Sequence, residues 1–82
     1  MDIVIHVSVG GTEIALSRDA VVKKLKGVRL GEVRTHAVLV EGVLHPVKKA
    51  FGAVTGIDVL DFNTIVARNA FVKLGFKVVR ES

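Results

Sequence analysis

The segment from His36 to Val79 constrains the fold of this chain more than any other part of it. A tight turn at Glu41-Gly42 separates two apolar runs. Pro46 and then Asn63 each precede a stretch in which apolar residues recur three and four positions apart. That spacing is typical of amphipathic helices, and a proline or an asparagine just before it marks where a helix begins. The segment therefore predicts a hairpin, two consecutive helices and a last strand.

Each of these two helices has a defined apolar face. We expect Pro46 at the first helical position of the earlier helix, because proline lacks an amide proton and has a preset φ. The buried face of that helix is predicted to be Val47, Ala50, Phe51 and Val54, and Thr55-Gly56 ends it. Asn63 is expected to cap the later helix, whose buried face is predicted to be Val66, Ala67, Ala70, Phe71 and Leu74. Gly75 ends that helix, and residues 76–79 alternate as a strand with Phe76 and Val78 inward.

The first half of the chain predicts another hairpin and another helix. Residues 3–9 alternate, and their apolar face is Ile3, Ile5, Val7 and Val9. Gly10-Gly11 suits a two-residue turn, after which residues 12–16 return as the partner strand. Ser17 is expected to cap a helix that buries Val21, Val22 and Leu25 and turns Lys23, Lys24 and Lys26 outward. Gly27 ends this helix, residues 28–34 form a loop, and the second hairpin pairs residues 35–40 with Val43-Leu44.

These elements predict a single α+β domain over residues 1–82, in the order ββαββααβ, with a mainly antiparallel sheet covered by helices. The apolar runs are far shorter than the roughly 20 residues of a membrane span, so no membrane partner is expected. Met1-Asp2 is unlike the start of a signal peptide, which favours a cytoplasmic location. The lack of Cys and Gln, with seventeen Val, is typical of a thermophilic source.

No catalytic or metal-binding pattern stands out, so we predict no enzyme activity, no cofactor and no metal. The histidines at 6, 36 and 45 lack the spacing of metal ligands, although His6 and His36 would form a two-histidine site if their strands were neighbours. Histidines facing solvent or satisfied by local partners are the favoured interpretation. Asp58 and Asp61 have no partner base, and Gly10-Gly11 is not followed by a phosphate-binding motif.

The basic residues are the feature that points to a partner. Twelve Lys and Arg against eight Asp and Glu give a net charge of +4, and cations recur on all three helices, with Arg29 and Arg34 nearby. The residues expected to bind nucleic acid are Lys48, Lys49, Thr64, Arg68, Asn69 and Lys73. Arginine forks onto guanine and asparagine onto adenine, while lysines hold phosphates. Solvated helix faces are the plain alternative.

The aromatic residues bear on which nucleic acid is favoured. All four are Phe, and each falls at a predicted core or anchor position. No Trp or Tyr is present to stack on splayed bases, as proteins that bind single strands require. Duplex DNA is therefore favoured over single-stranded nucleic acid.

A set of short motifs in the second half also carries a resemblance. They are Gly42, Pro46-Val47-Lys48, Thr55-Gly56, Phe62, Thr64, Ala67-Arg68 and Leu74-Gly75-Phe76. From Val40 onward this pattern resembles a small domain that occurs alone in bacteria and archaea and beside HNH or Mcr-like restriction nucleases. The resemblance implies an accessory DNA-binding or nucleic-acid-sensing module, with Lys48, Thr64 and Arg68 as its polar members. The chain departs from that arrangement in lacking a nuclease partner, and its first hairpin is not part of the match.

The alternative function is a protein–protein interaction. The regular apolar strand at residues 3–9 would serve as a sheet edge for strand addition or for a homodimer. Self-association through that edge and nucleic-acid binding through the helices are thus the two functional hypotheses.

Overall fold

Five strands and three helices follow one another in the order ββαββααβ in the computed structural model, which describes residues 2–28, 30–31 and 36–80. The strands are β1 Val4–Val9, β2 Thr12–Ser17, β3 His36–Val40, β4 Val43–Pro46 and β5 Lys77–Arg80. The helices are α1 Arg18–Leu25, α2 Val47–Thr55 and α3 Thr64–Lys73, and a single 3₁₀ turn at Val59–Asp61 precedes α3. The predicted α+β class and order of elements are confirmed.

The described strands form two antiparallel sheets, where the sequence predicted one. β1 pairs with β2 across the Gly10-Gly11 turn, where both residues have positive φ (55° and 82°). The second sheet has the order β4-β3-β5, so that Val38 of β3 lies opposite His45 on one side and Val78 on the other. The sequence correctly predicted the alternation of inward and outward residues within each strand, but this alternation does not determine which strands become neighbours.

The core lies between the helices and the face of β3 that carries Val38 and Val40. At its centre the fully buried ring of Phe51 makes edge-to-face contacts with Phe62 (ring centroids 4.8 Å apart) and Phe71 (6.2 Å). Edge-to-face pairs of this kind add to the stabilisation that apolar burial provides. The predicted faces of the two later helices are confirmed: Val47, Ala50, Phe51, Val54, Ala67, Ala70, Phe71 and Leu74 are buried, and Val66 packs against them.

Two predicted helix caps, Ser17 of α1 and Asn63 of α3, are also confirmed. The hydroxyl of Ser17 accepts a hydrogen bond from the backbone N–H of Ala20 at 3.0 Å. The side-chain oxygen of Asn63 accepts one from Val66 at 2.9 Å. Both satisfy amides that have no partner within the first helical turn.

α3 ends in a C-terminal capping motif built around a glycine in the left-handed conformation. Gly75, with φ of 86°, donates to the carbonyl of Val72, and Phe76 donates to the carbonyl of Phe71, both at 3.0 Å. The rings of Phe71 and Phe76 then meet with centroids 6.2 Å apart. This pair of hydrogen bonds with its apolar contact is the Schellman motif, and it aims the chain into β5.

Several boundaries differ from the prediction. Pro46 is not the first helical residue: it ends β4 opposite Ala37 and, with ψ of 126°, stands one position before α2. Ile3 precedes β1 and is 41% exposed, so it does not belong to the buried face. Phe76 is buried as expected but precedes β5. Residues 29 and 32–35, which include the predicted cations Arg29 and Arg34, lie outside the described residues.

None of the helices in the described part of the chain has the length and apolar character needed to span a bilayer.

Candidate nucleic-acid interface

The outward face of α3 mixes cations with apolar side chains. Its exposed residues are three and four positions apart and are Ile65, Arg68, Asn69, Val72 and Lys73. Ile65 is 65% exposed and Val72 is 54% exposed, which is high for large apolar residues. Three of the predicted binding residues, Arg68, Asn69 and Lys73, therefore share one solvent-facing stripe. Thr64 is half-buried at the first position of the same helix.

Arg68 shares a surface depression with two further basic side chains that the sequence did not identify as nucleic-acid-binding residues. It lines a shallow depression of about 300 Å³ together with His36, Val78, Val79 and Arg80. His36 and Arg80 lie directly opposite each other where β3 pairs with β5. Because Gly75 reverses the chain, β5 runs back beside α3 and brings its last residue to the middle of the helix. The structure thus assembles His36, Arg68 and Arg80 from three elements.

The charged residues of α3 and β5 are all basic. The run from Asn63 to Arg80 contains Arg68, Lys73, Lys77 and Arg80 and no Asp or Glu. Within the described residues, the ion pairs are His6 with Glu13 at 3.2 Å and Lys23 with Asp19 at 3.1 Å, and neither lies on α3 or β5. Glu81 follows the run and lies outside the described residues. The acid-free run is the sequence signal that would have identified Lys77 and Arg80.

We call the set formed by His36, Arg68, Lys73, Lys77 and Arg80 the α3–β5 basic surface. His36 and Arg80 share the face of the sheet that carries Val38 and Val78, whereas Lys77 pairs with Leu39 on the other face. The surface therefore continues around the β5 edge of the sheet. Such a curved strip of cations follows a phosphate backbone better than an isolated pair does.

Lys48 and Lys49 have different neighbours, although they are consecutive. Lys48 is half-buried, and its Nζ lies 5.9 Å from the ring centroid of Phe62, which precedes the Asn63 cap. It therefore stands beside the start of α3. Lys49 is exposed, and its Nζ lies 3.3 Å from the point that a Cβ on Gly31 would occupy. Of the two, Lys48 lies beside Phe62, the residue before the cap of α3, and Lys49 lies beside Gly31.

The lysines of α1 have structural partners. Lys23 pairs with Asp19 one turn earlier. Lys24 is exposed as predicted, and its Nζ also donates a hydrogen bond to the carbonyl oxygen of Val54 at 2.9 Å. The sequence did not predict this contact, which forms because α1 packs along α2, so that a lysine stem can reach the end of the neighbouring helix.

The alternative two-histidine site does not form. His6 lies on β1 and His36 on β3, which belong to different sheets. His6 is exposed beside Glu13 instead. Across the described ranges, no group of three or more His, Asp or Glu is close enough to hold a metal ion. Asp58 accepts a hydrogen bond from the N–H of Leu60 at 2.9 Å and caps the 3₁₀ turn, whereas Asn63 caps α3.

No family model, no curated protein and no solved structure matches this chain. The resemblance to the domain found beside restriction nucleases accordingly stays a prediction.

Proposed function

We propose that this chain is a nucleic-acid-binding module that contacts duplex DNA through the α3–β5 basic surface. The observation that carries the proposal is the acid-free run on α3 and β5, whose four cations have no ion-pair partner among the described residues. Cations held without neighbouring carboxylates are free to replace the counterions that condense on a phosphate backbone.

The exposed stripe of α3 supplies the groups that would read base edges. Arg68 and Asn69 are adjacent in the middle of the helix, and both are exposed. Arginine pairs with guanine and asparagine with adenine in the major groove, which is wide enough for an α-helix. Ile65 and Val72 flank these residues and offer the apolar contact that thymine methyl groups favour.

The remaining polar residues would position the helix. Arg80 and His36 lie beside Arg68 at the depression between α3 and β5, so they suit one phosphate next to the groove. Lys48 and Thr64 stand at the start of α3, where the helix dipole favours a second phosphate. Lys73 and Lys77 extend the positive surface toward the other end of the helix.

Burial of the aromatic residues supports a duplex over a single strand. Phe51 and Phe71 are fully buried, and Phe62 and Phe76 are 8% and 7% exposed. The chain has no Tyr or Trp, so no aromatic face is available for base stacking.

The direct test is fluorescence anisotropy of labelled duplex DNA, single-stranded DNA and duplex RNA, titrated with the protein at salt concentrations from about 50 to about 200 mM. We expect the tightest binding to duplex DNA. Its affinity should decrease as the salt concentration rises, with the slope expected for about four neutralised phosphates. Equal affinity for all three, or no binding at low salt, would exclude the proposal.

A homodimer is the second candidate, and the free edge of β1 is the observation that favours it. Among the described strands, β1 pairs only with β2. Its sequence from Val4 to Val9 contains no Lys and no Pro, the residues that usually protect an exposed edge. Val4 is 57% exposed at the start of this strand. Sedimentation velocity over a hundredfold range of protein concentration separates the two candidates, because a concentration-independent monomer excludes self-association.

A further inference from the structure

Two large apolar side chains on α3 are exposed to solvent on the same line of the helix. Of the exposed large apolar residues in the described part of the chain, only Ile65 and Val72 lie on α-helices. They are seven positions apart, which is close to two helical turns, so their side chains point in nearly the same direction. A helix face that only held phosphates would be polar along its whole length. The pair therefore indicates that an apolar part of a partner meets this face.

Asn69 lies between these two residues and is also exposed. At about 100° per residue, it is about 40° from Ile65 and about 60° from Val72 around the helix axis. We call the row formed by Ile65, Asn69 and Val72 the α3 ridge. Arg68 lies beside the ridge on the side of β5, where it shares the depression with Arg80. The ridge thus places one amide between two apolar side chains.

The chemistry of the α3 ridge matches the major-groove edge of A·T base pairs. Adenine presents an acceptor and a donor, N7 and N6, that one asparagine amide contacts together. Thymine adds a methyl group, which a G·C pair does not have. Against G·C pairs, Ile65 and Val72 would cover polar edges and remove their water without an apolar contact in return.

The spacing along the ridge fits the spacing of base pairs. A rise of about 1.5 Å per residue places Ile65 and Val72 about 10 Å apart along the helix axis, with Asn69 about 6 Å from Ile65. Base pairs follow one another at about 3.4 Å, so the ridge spans about three base-pair steps when the helix lies along the groove. Thymine methyl groups at both ends of such a span, with an adenine between them, match the order of the side chains.

We propose that the α3 ridge recognises A·T-rich duplex DNA in the major groove, with an adenine contacted by Asn69 and thymine methyl groups contacted by Ile65 and Val72. This inference rests on the proposed function and adds to it the base composition that the protein prefers. The guanine contact expected of Arg68 lies at the flank of this core, because Arg68 is displaced from the ridge toward β5. The other cations of the α3–β5 basic surface bind phosphates in any sequence.

The test is fluorescence anisotropy of the intact protein with duplexes of equal length and with the same flanks, which contain guanine. Their cores are built from A·T pairs, from A·U pairs, from G·C pairs, or from G·C pairs with 5-methylcytosine. We expect the A·T core to bind at least about tenfold more tightly than the G·C core. Uracil lacks only the methyl group, so affinity should fall about fourfold for each methyl that contacts the ridge. 5-Methylcytosine returns a methyl to the groove and should recover part of the loss.

Variants of the ridge show where the preference arises. Ile65→Ser combined with Val72→Ser should abolish the preference for thymine over uracil while binding to the A·U core is nearly unchanged. Asn69→Ala should reduce the preference for the A·U core over the G·C core. Leu44→Ser is the matched control, because it removes an exposed apolar side chain from β4 and should keep both preferences.

The outcomes separate this inference from the proposed function. Equal affinity for all cores would overturn the inference but leave duplex binding through the basic surface in place. A preference for A·T that is the same for thymine and uracil would also overturn it, because the shape of the duplex would then be recognised and not its methyl groups. So would an equal loss of the thymine preference in Leu44→Ser and the double serine variant. No binding to any duplex would overturn both proposals.

Discussion

Lys24 on α1 donates a hydrogen bond from its ammonium to the backbone carbonyl oxygen of Val54 on α2, across 2.9 Å. The last carbonyls of a helix have no partner within the helix and carry partial negative charge. A cation placed there satisfies the carbonyl and complements the helix dipole. It also joins two residues that are thirty positions apart in the chain and lie on different helices, which the charge pattern of α1 alone would not reveal.

Replacing Lys24 by Met should destabilise the protein by about 1 kcal/mol, because the carbonyl of Val54 loses a charged donor while the apolar stem is kept. Urea unfolding at neutral pH measures the change. Lys23→Met is the matched control: it removes only an exposed ion pair with Asp19, for which we expect at most about 0.5 kcal/mol. Equal losses would show that the hydrogen bond contributes nothing specific.

Replacing Arg68 by Gln should weaken binding to duplex DNA by about 1–3 kcal/mol, because the side chain loses its forked contact with a guanine edge. Arg68 is exposed, so the free energy of unfolding should change by no more than about 0.5 kcal/mol. Anisotropy titrations measure affinity, and urea unfolding confirms that the fold is intact. Lys23→Gln makes the same change of charge on α1, and an equal loss of affinity there would mean that only net charge matters.

Arg80→Gln tests whether the cluster assembled by β5 belongs to the same surface. Because Arg80 and Arg68 line one depression, the two substitutions combined should lose less affinity than the sum of the single losses. A double-mutant cycle by anisotropy measures this coupling. Strict additivity would show that the two side chains act independently and do not form one surface.

Replacing Gly75 by Ala should destabilise the protein by about 1–2 kcal/mol, because φ of 86° is unfavourable for a residue with a Cβ. The nearest atoms to that Cβ would be the Arg18 Nη1 at 3.4 Å and the Ile3 Cδ1 at 3.7 Å, which are ordinary contacts. Backbone conformation is therefore the main cause. Thermal unfolding of Gly75→Asn, Gly75→Ala and Gly75→Val should rank the variants in that order of decreasing stability. Val as stable as Asn would contradict this reasoning.

The stability of the fold should decrease as the pH falls below about 6.5, with His45 as one cause. Burial lowers the pKa of His45 in the folded protein, so the unfolded chain takes up its proton first. The contribution of His45 to the free energy of unfolding is fully present above the pKa that this residue has in the unfolded chain. It is lost progressively as the pH falls toward the lower pKa of the folded protein. The charged side chains of Lys26 and Glu41 line one cavity together with His45.

Urea unfolding at about pH 7.5 and about pH 5.5 measures that loss, and His45→Leu should show a smaller decrease than the natural sequence. His6 and His36 are present in both proteins, so the difference between the two decreases reports on His45 alone. The same decrease in both would assign the pH dependence to other groups.

Much of the local structure was predictable. The faces of α2 and α3, the caps at Ser17 and Asn63 and the reversal at Gly75 were read from the sequence and are present in the fold. Each depends on residues no more than four or five positions apart, so the required pattern is visible in one stretch of chain. The prediction for Pro46 was wrong because β4 extends to that residue through its pairing with Ala37, and strand pairing is not visible within one local stretch of chain.

The candidate site was predicted only in part. Arg68, Asn69 and Lys73 were identified and do share the exposed stripe of α3. Arg80 and His36 were missed because they reach Arg68 through the pairing of β3 with β5, across more than forty residues of chain. Lys49 was included with Lys48, yet the two have different neighbours.

By itself, the sequence determined the class of fold, the order of its elements, the apolar faces of its helices and the excess of positive charge. Tertiary structure alone decided that the strands divide into two sheets, that Lys24 holds the end of α2, and that His45 is buried beside an apolar cavity. The physical reason is the range of the interactions. Periodicity and capping act between near neighbours, whereas strand partners and cavities depend on how distant side chains pack together.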